Sequence, residues 1–350
     1  MNGMNERSGS GFTGLQLVTT TIALALLTLP AGLAQTAVGL ANEANLNDDR
    51  HEGECRSASI LPNANQLALL RWYKANTAAT ITVGGNPNGG AFDGANIWVA
   101  ITGQNSVVKV RANDGKILGT FAVGTYPGYI AFDGLNVWVT NLGDDTVSKL
   151  RASDGKNLGT FPTGKYPWGI VFDGSSIWVG NILDSTVTRF RPSDGASLGV
   201  FPAGKYPIAL AFDGKNVWAT NQGGANTVTK LRARDGAMLG SFPVGINPVG
   251  VTFDGASIWV ANADSNSVTR LRPEDGERIG TFPVGSQPQF IAFDGVNVWV
   301  SSKGSNNVAE LRACDGRRLG TFPTAGPAFQ VIFDGANYWT VNGNGTLSKL

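Results

Sequence analysis

The sequence predicts an all-β fold: a seven-bladed β-propeller of four-stranded antiparallel blades, with an N-terminal strand completing the last blade and closing the ring. Three observations carry this. A Phe-Asp-Gly segment recurs at Phe92, Phe132, Phe172, Phe212, Phe253, Phe293 and Phe333, at steps of 40, 40, 40, 41, 40 and 40 residues, and a near-constant period in this range marks a solenoid, propeller or array. Each copy breaks into four short β-branched and aromatic runs, two pairs of which are joined by Asp-Gly, a hairpin signal because such turns need positive φ. Proline recurs in the fourth run at Pro162, Pro202, Pro243, Pro283 and Pro323; lacking a ladder donor, it belongs on a sheet edge.

Residues 1–34 read as a signal peptide. Arg7 precedes an apolar run over 15–29, and Gly32-Leu33-Ala34 resembles a cleavage site. An uncleaved anchor is the alternative, but Thr19, Thr20, Thr21 and Pro30 make the run a poor permanent span. The mature chain is therefore expected to be periplasmic or extracellular, with no membrane span. Residues 35–64 are polar and irregular and read as a flexible leader.

The propeller is expected over 65–350. Residues 80–84 match the fourth run of a repeat, while the C-terminal copy stops after its third, so the two ends are expected to share the last blade. Gln66 to Arg71 and Thr346 to Leu350 both resemble a third strand; the C-terminal segment is favoured for that place. Within a repeat, taking 169–201, the strands are expected at 169–172, 177–180, 186–191 and 198–201.

The second strands carry Trp98, Trp138, Trp178, Trp218, Trp259, Trp299 and Trp339. A large aromatic at one fixed strand position is expected to fill the wedge between neighbouring blades rather than to hold a ligand. The third strands repeat cations such as Lys149/Arg151 and Arg189/Arg191 near Asp154 and Asp194, read as solvated pairing. Net charge is +1 and charged residues are only 15%, so no global field draws the chain to nucleic acid. The protein is expected to be a monomer. Cys55 and Cys314, the two cysteines, either bridge the leader to the sixth repeat or stay as thiols.

Val137-Trp138-Val139-Thr140-Asn141, Val217-Trp218-Ala219-Thr220-Asn221 and Ile258-Trp259-Val260-Ala261-Asn262 resemble the YVTN signature of bacterial β-propeller repeat proteins. The resemblance covers 65–350 and implies an exported seven-bladed propeller of no fixed function. The repeats are also similar to those of the virginiamycin B lyase family, which would imply magnesium-assisted elimination by a His and a Glu. Here the one histidine, His51, lies outside the array, and Glu274, Glu277 and Glu310 fall on a third strand or the turn after it, so no lyase residue carries over.

Differences among copies concentrate in the loops after the second strand and before the first, which share a face, and loops on a rigid scaffold are where binding groups collect. Tyr126, Tyr129, Tyr166, Trp168 and Tyr206, with Lys165, Asp144 and Asp184, are the candidate ligand-binding residues, suited to a glycan, a peptide or an envelope protein. The competing reading of each Tyr-Pro pair is loop packing. No triad, Walker loop or zinc spacing is present. No catalytic residue and no cofactor is expected; Asp144-Asp145 is a thin signal for calcium or magnesium. The alternative function is a metal-assisted lyase or lactone hydrolase using aspartates.

Overall fold

The computed structural model describes residues 79–350, within the compact unit Glu54–Leu350. The expected signal peptide, leader and Gln66–Arg71 segment lie outside the described residues. Seven four-stranded antiparallel sheets form, each in sequence order from first to fourth strand except the last. They span 87–122, 127–162, 167–202, 207–243, 248–283, 288–323 and 328–349, called here blades one to seven. Blade seven takes Ala79–Thr82 as its fourth strand, antiparallel to Thr346–Lys349, with Ile81 opposite Leu347. Thr346–Lys349 is thus the third strand of that blade. First strands pack on one another round the ring, the last on the first. Among the described residues no helix is long and apolar enough to cross a membrane.

Each first turn is built on its aspartate. In blade four, Asp213 Oδ1 accepts the N–H groups of Lys215 and Asn216 at 2.8 and 2.6 Å, and Oδ2 accepts the indole N–H of Trp218 at 2.7 Å. The same aspartate–indole bond recurs in the other six blades at 2.7–2.8 Å. A buried indole N–H needs such an acceptor. The tryptophans are buried as expected, Trp299 slightly less than the rest, and they fill the inter-blade wedges: Trp98 of blade one packs with Ile130, Val137 and Val139 of blade two.

The fourth strand is the outer edge, and Pro162 sits there opposite Thr146. Its phenylalanine joins blades. Phe121 lies against Trp98, ring centres 5.5 Å apart, and also covers Gly155 in the second turn of blade two. Gly155 has φ +74°, and a Cβ there would fall 2.1 Å from the Phe121 ring, so the turn and the packing both require glycine.

The third-strand cations divide into two kinds, which corrects the reading of all of them as solvated pairs. Arg151 does pair with Asp154 at 3.6 Å at the surface. Lys149, however, is buried: Nζ lies 5.3 Å from the centre of the Trp138 ring and donates to Pro192 O and Ser193 O of the next blade. Lys109 and Lys230 do the same. A buried ammonium is tolerable when carbonyls and an aromatic face replace water.

Candidate functional site

First strands begin, and second strands end, on one face, as the pairing of Pro127 with Asn141 shows. The loops of that face are fixed by their own polar side chains. Asn141 Oδ1 accepts Gly124 N–H at 3.1 Å, and its Nδ2 donates to Thr146 Oγ1 and Ser148 Oγ. Asp144 takes the N–H and hydroxyl of Thr125, and these bonds, the hydroxyl first, hold its carboxyl below the usual range. Asp184 takes Lys165 N–H at 2.7 Å, and Asp145 takes Tyr166 N–H at 2.7 Å. The aspartates proposed as ligand groups therefore shape loops.

At the centre of this face is a funnel of about 710 Å³, lined from every blade. Tyr129 of blade two, part of that lining, is stacked at 4.8 Å on Phe290 of blade six. These blades are not neighbours, so the two rings meet across the central axis. At the equivalent position other blades have Gly89, Gly169 and Gly250. A Cβ there would come within 2.3–2.6 Å of the next first strand's backbone oxygen, so glycine lets the strands close in. Burial pushes the Tyr129 hydroxyl well above the ordinary tyrosine value.

The walls differ in character. Blades three to five present Tyr166, Trp168, Ile182, Ile208, Val249 and Ala263. Tyr166 and Trp168 are stacked at 6.0 Å, and Trp168 lies 5.7 Å from Tyr129. The Trp168 indole N–H is fully buried against the Tyr129 hydroxyl, and this contact works against the effect of burial on that hydroxyl. The amides of the lining come from blades one, four, five and six: Asn86, Asn88, Gln222, Asn247, Gln287 and Gln289, with Thr102 of blade one. The charged lining residues are Asp264 and Lys303, the latter with Nζ 4.8 Å from the Phe329 ring centre.

Of the residues picked from the sequence, Tyr129, Tyr166 and Trp168 come together in the funnel. Tyr126, Tyr206, Lys165, Asp144 and Asp184 do not line it. Tyr126 and Tyr206 stand on the rim, 61% and 37% exposed. Tyr126, Tyr166 and Tyr206 all have positive φ, 51–56°, at the position where blades one and five place Asn86 and Asn247. The amide wall was missed. Its signal was available: the residue after the first-strand proline or its equivalent is Asn88, Gly128, Trp168, Ile208, Val249, Gln289 and Phe329 in turn, different in every copy.

Among the described residues, no three His, Cys, Asp or Glu side chains stand close enough to hold a metal ion. The carboxylates of this face do not fit a magnesium or calcium site, which needs several converging oxygens.

No protein-family model matches the sequence, and no curated protein matches it. Solved structures match closely in shape. A streptogramin B lyase structure aligns with TM-score 0.67 and 17% identity, over 78% of this chain and 97% of the other. Hydrazine synthase of Kuenenia stuttgartiensis aligns with TM-score 0.70 and 17% identity, over 79% and 98%. Virginiamycin B lyase from Staphylococcus aureus aligns with TM-score 0.68 and 19% identity, over 78% and 98%. At these identities the likeness establishes the seven-bladed propeller and nothing finer.

Proposed function

We propose that this chain is an exported binding protein without chemistry of its own, which takes a glycan, a peptide or an envelope protein on its loop face, anchored in the central funnel. One observation carries the reading: Tyr129, Trp168 and Tyr166 form a continuous run of ring contacts, at 5.7 and 6.0 Å, in the lining of a concave funnel. The funnel's volume suits a small ligand or the tip of a larger one.

The alternative, a metal-assisted lyase or lactone hydrolase, draws support from the names of two fold neighbours. The lining offers it little: one exposed carboxylate, Asp264, and no histidine.

Glycan and peptide arrays probed with the full chain and with a Tyr166→Ala, Trp168→Ala double variant test the proposal. Binding by the native chain and its loss in a folded double variant is the expected result. Equal binding by both removes the funnel as the site. Turnover of a lactone or streptogramin substrate, abolished by chelator, would favour the alternative.

A further inference from the structure

We infer that the funnel is shaped for one neutral sugar ring, lying flat on the Tyr166–Trp168 stack, and that longer saccharides run out of it over the tyrosine rim. The inference rests on the binding reading above and narrows its ligand class. The platform is the first ground. The stacked pair lines the funnel and offers its outer aromatic face to the C–H side of a pyranose.

The opposite wall is the second ground. Side-chain amides both donate and accept, as sugar hydroxyls do, so each can pair with a hydroxyl in either sense. Gln287 and Gln289 come from blade six, across the ring from blade three, and Asn86, Asn88, Gln222 and Asn247 add further amides to the lining. The one acid and one cation of the lining, Asp264 and Lys303, come from neighbouring blades and leave no net charge for an ionic ligand.

The platform is also held from behind. Thr140 Oγ1 accepts Tyr129 N–H at 2.9 Å and donates to Trp168 O at 3.0 Å. Ser301 similarly joins Phe290 and Phe329. Blades one, three and five carry Ala100, Gly180 and Ala261 at this position, without a hydroxyl. Thr220 of blade four makes the same bridge, accepting Ala209 N–H at 3.0 Å and donating to Val249 O at 2.8 Å, so blades two and three, four and five, and six and seven are joined in pairs, which preorganises the funnel.

The rim is the third ground. Tyr126 and Tyr206 keep an exposed ring at a left-handed backbone position that asparagine occupies at lower cost elsewhere in the same ring. They flank Tyr166 on the neighbouring blades, where the next sugar units of a chain would lie.

The test is calorimetric titration of the full chain with an array-selected neutral disaccharide and its hexasaccharide, a uronic-acid hexasaccharide and a mixed peptide library. The neutral hexasaccharide should bind more tightly than the disaccharide. Trp168→Ala should weaken both about thirty-fold or more, and Trp168→Phe, which keeps an aromatic face, by no more than about five-fold. Tyr206→Asn should weaken the hexasaccharide several-fold and leave the disaccharide unchanged. Funnel-dependent binding of peptide or uronate, with no neutral saccharide bound, overturns the sugar inference and leaves the binding reading standing. No binding by any probe to a folded chain overturns both. An equal effect of Tyr206→Asn on both lengths overturns the rim path.

Discussion

Asp213 Oδ2 accepts the indole N–H of Trp218 at 2.7 Å across the first turn of blade four. Burial works to raise the Asp213 carboxyl, but the bonds from Trp218, Asn216 and Lys215 outweigh it and hold the value below the usual range; Asp334 in blade seven behaves alike. A depressed carboxyl contributes stability that is present above the unfolded value near ~3.9 and is lost as pH falls through the folded one. Acid unfolding should therefore begin below about pH 4. Asp213→Ala should cost about 2–3 kcal/mol at pH 7, through the turn and the stranded indole. Thermal melts of native and variant chains between pH 2.5 and 7 check both, and a variant loss that persists unchanged at pH 2.5 would exclude the linkage.

Blade six departs from this pattern. Glu310 stands opposite Trp299, where other blades have a lysine or arginine. Tyr338 of blade seven fills the gap, stacked on Trp299 at 3.6 Å with its hydroxyl donating to Asp294. Burial, then the charge of Asp294, raises the Glu310 carboxyl above its ordinary value. A raised acid costs stability once pH passes its unfolded value. Glu310→Gln should raise the Tm by about a degree or two at pH 7 and by nothing below about pH 4. An equal gain at both pH values would point to packing instead.

Much of the fold could be read from the period, the Asp-Gly turns and the edge prolines, because each states a backbone requirement that no partner residue modifies. The tryptophan wedges could be read for the same reason. Lys149 could not: its neighbour along the chain is Asp154, whereas the side chains that bury it are Trp138 across the strand and the turn of the next blade. Register and blade contact decide its role, and neither is local in sequence. In the funnel, Tyr166 and Trp168 stood out as large aromatics, while Gln287 and Asn88 are ordinary polar residues until the ring brings them together.

Tyr126 tests the strain argument separately from any ligand. Its φ of 51° is one that asparagine adopts more readily, and its side chain is 61% exposed. Tyr126→Asn should therefore stabilise the free protein by about 0.5–1 kcal/mol. Denaturant midpoints measure this. A loss of stability would mean that the ring packs the loop.

Cys314 is disulfide-bonded, and Cys55, outside the described residues, is the other cysteine of the sequence. We expect non-reducing peptide mapping to recover a Cys55–Cys314 linked pair. Reduction should then cost about 2–4 kcal/mol, since the cross-link closes a long loop in the unfolded chain. Recovery of a linked dimer of chains would exclude the intramolecular pairing.

Ile81 holds the ring shut. It lies on the strand Ala79–Thr82, packs on the cluster of Trp339, Leu347 and Val83, and its Cδ1 would meet a Cβ at Gly115 of blade one at 2.7 Å. Phe121 plays this part against Gly155, so Ile81 is the joint between blades seven and one. Gln330 adds a second tie there, with Oε1 accepting Gly90 N–H at 2.6 Å and Nε2 donating to Gly90 O at 3.1 Å. Ile81→Ala should cost about 2–3 kcal/mol, and Gln330→Ala about 1–2 kcal/mol through the unpaired Gly90 N–H. Thr80→Ala, on the exposed side of the same strand, should change stability by less than about 0.5 kcal/mol. Because both ties close one seam, hydrogen exchange in Thr346–Lys349 should accelerate in Ile81→Ala before exchange in Thr227–Arg232 across the ring. Equal acceleration in both strands would mean that the ring opens everywhere at once and that the seam is no weaker than the other joints.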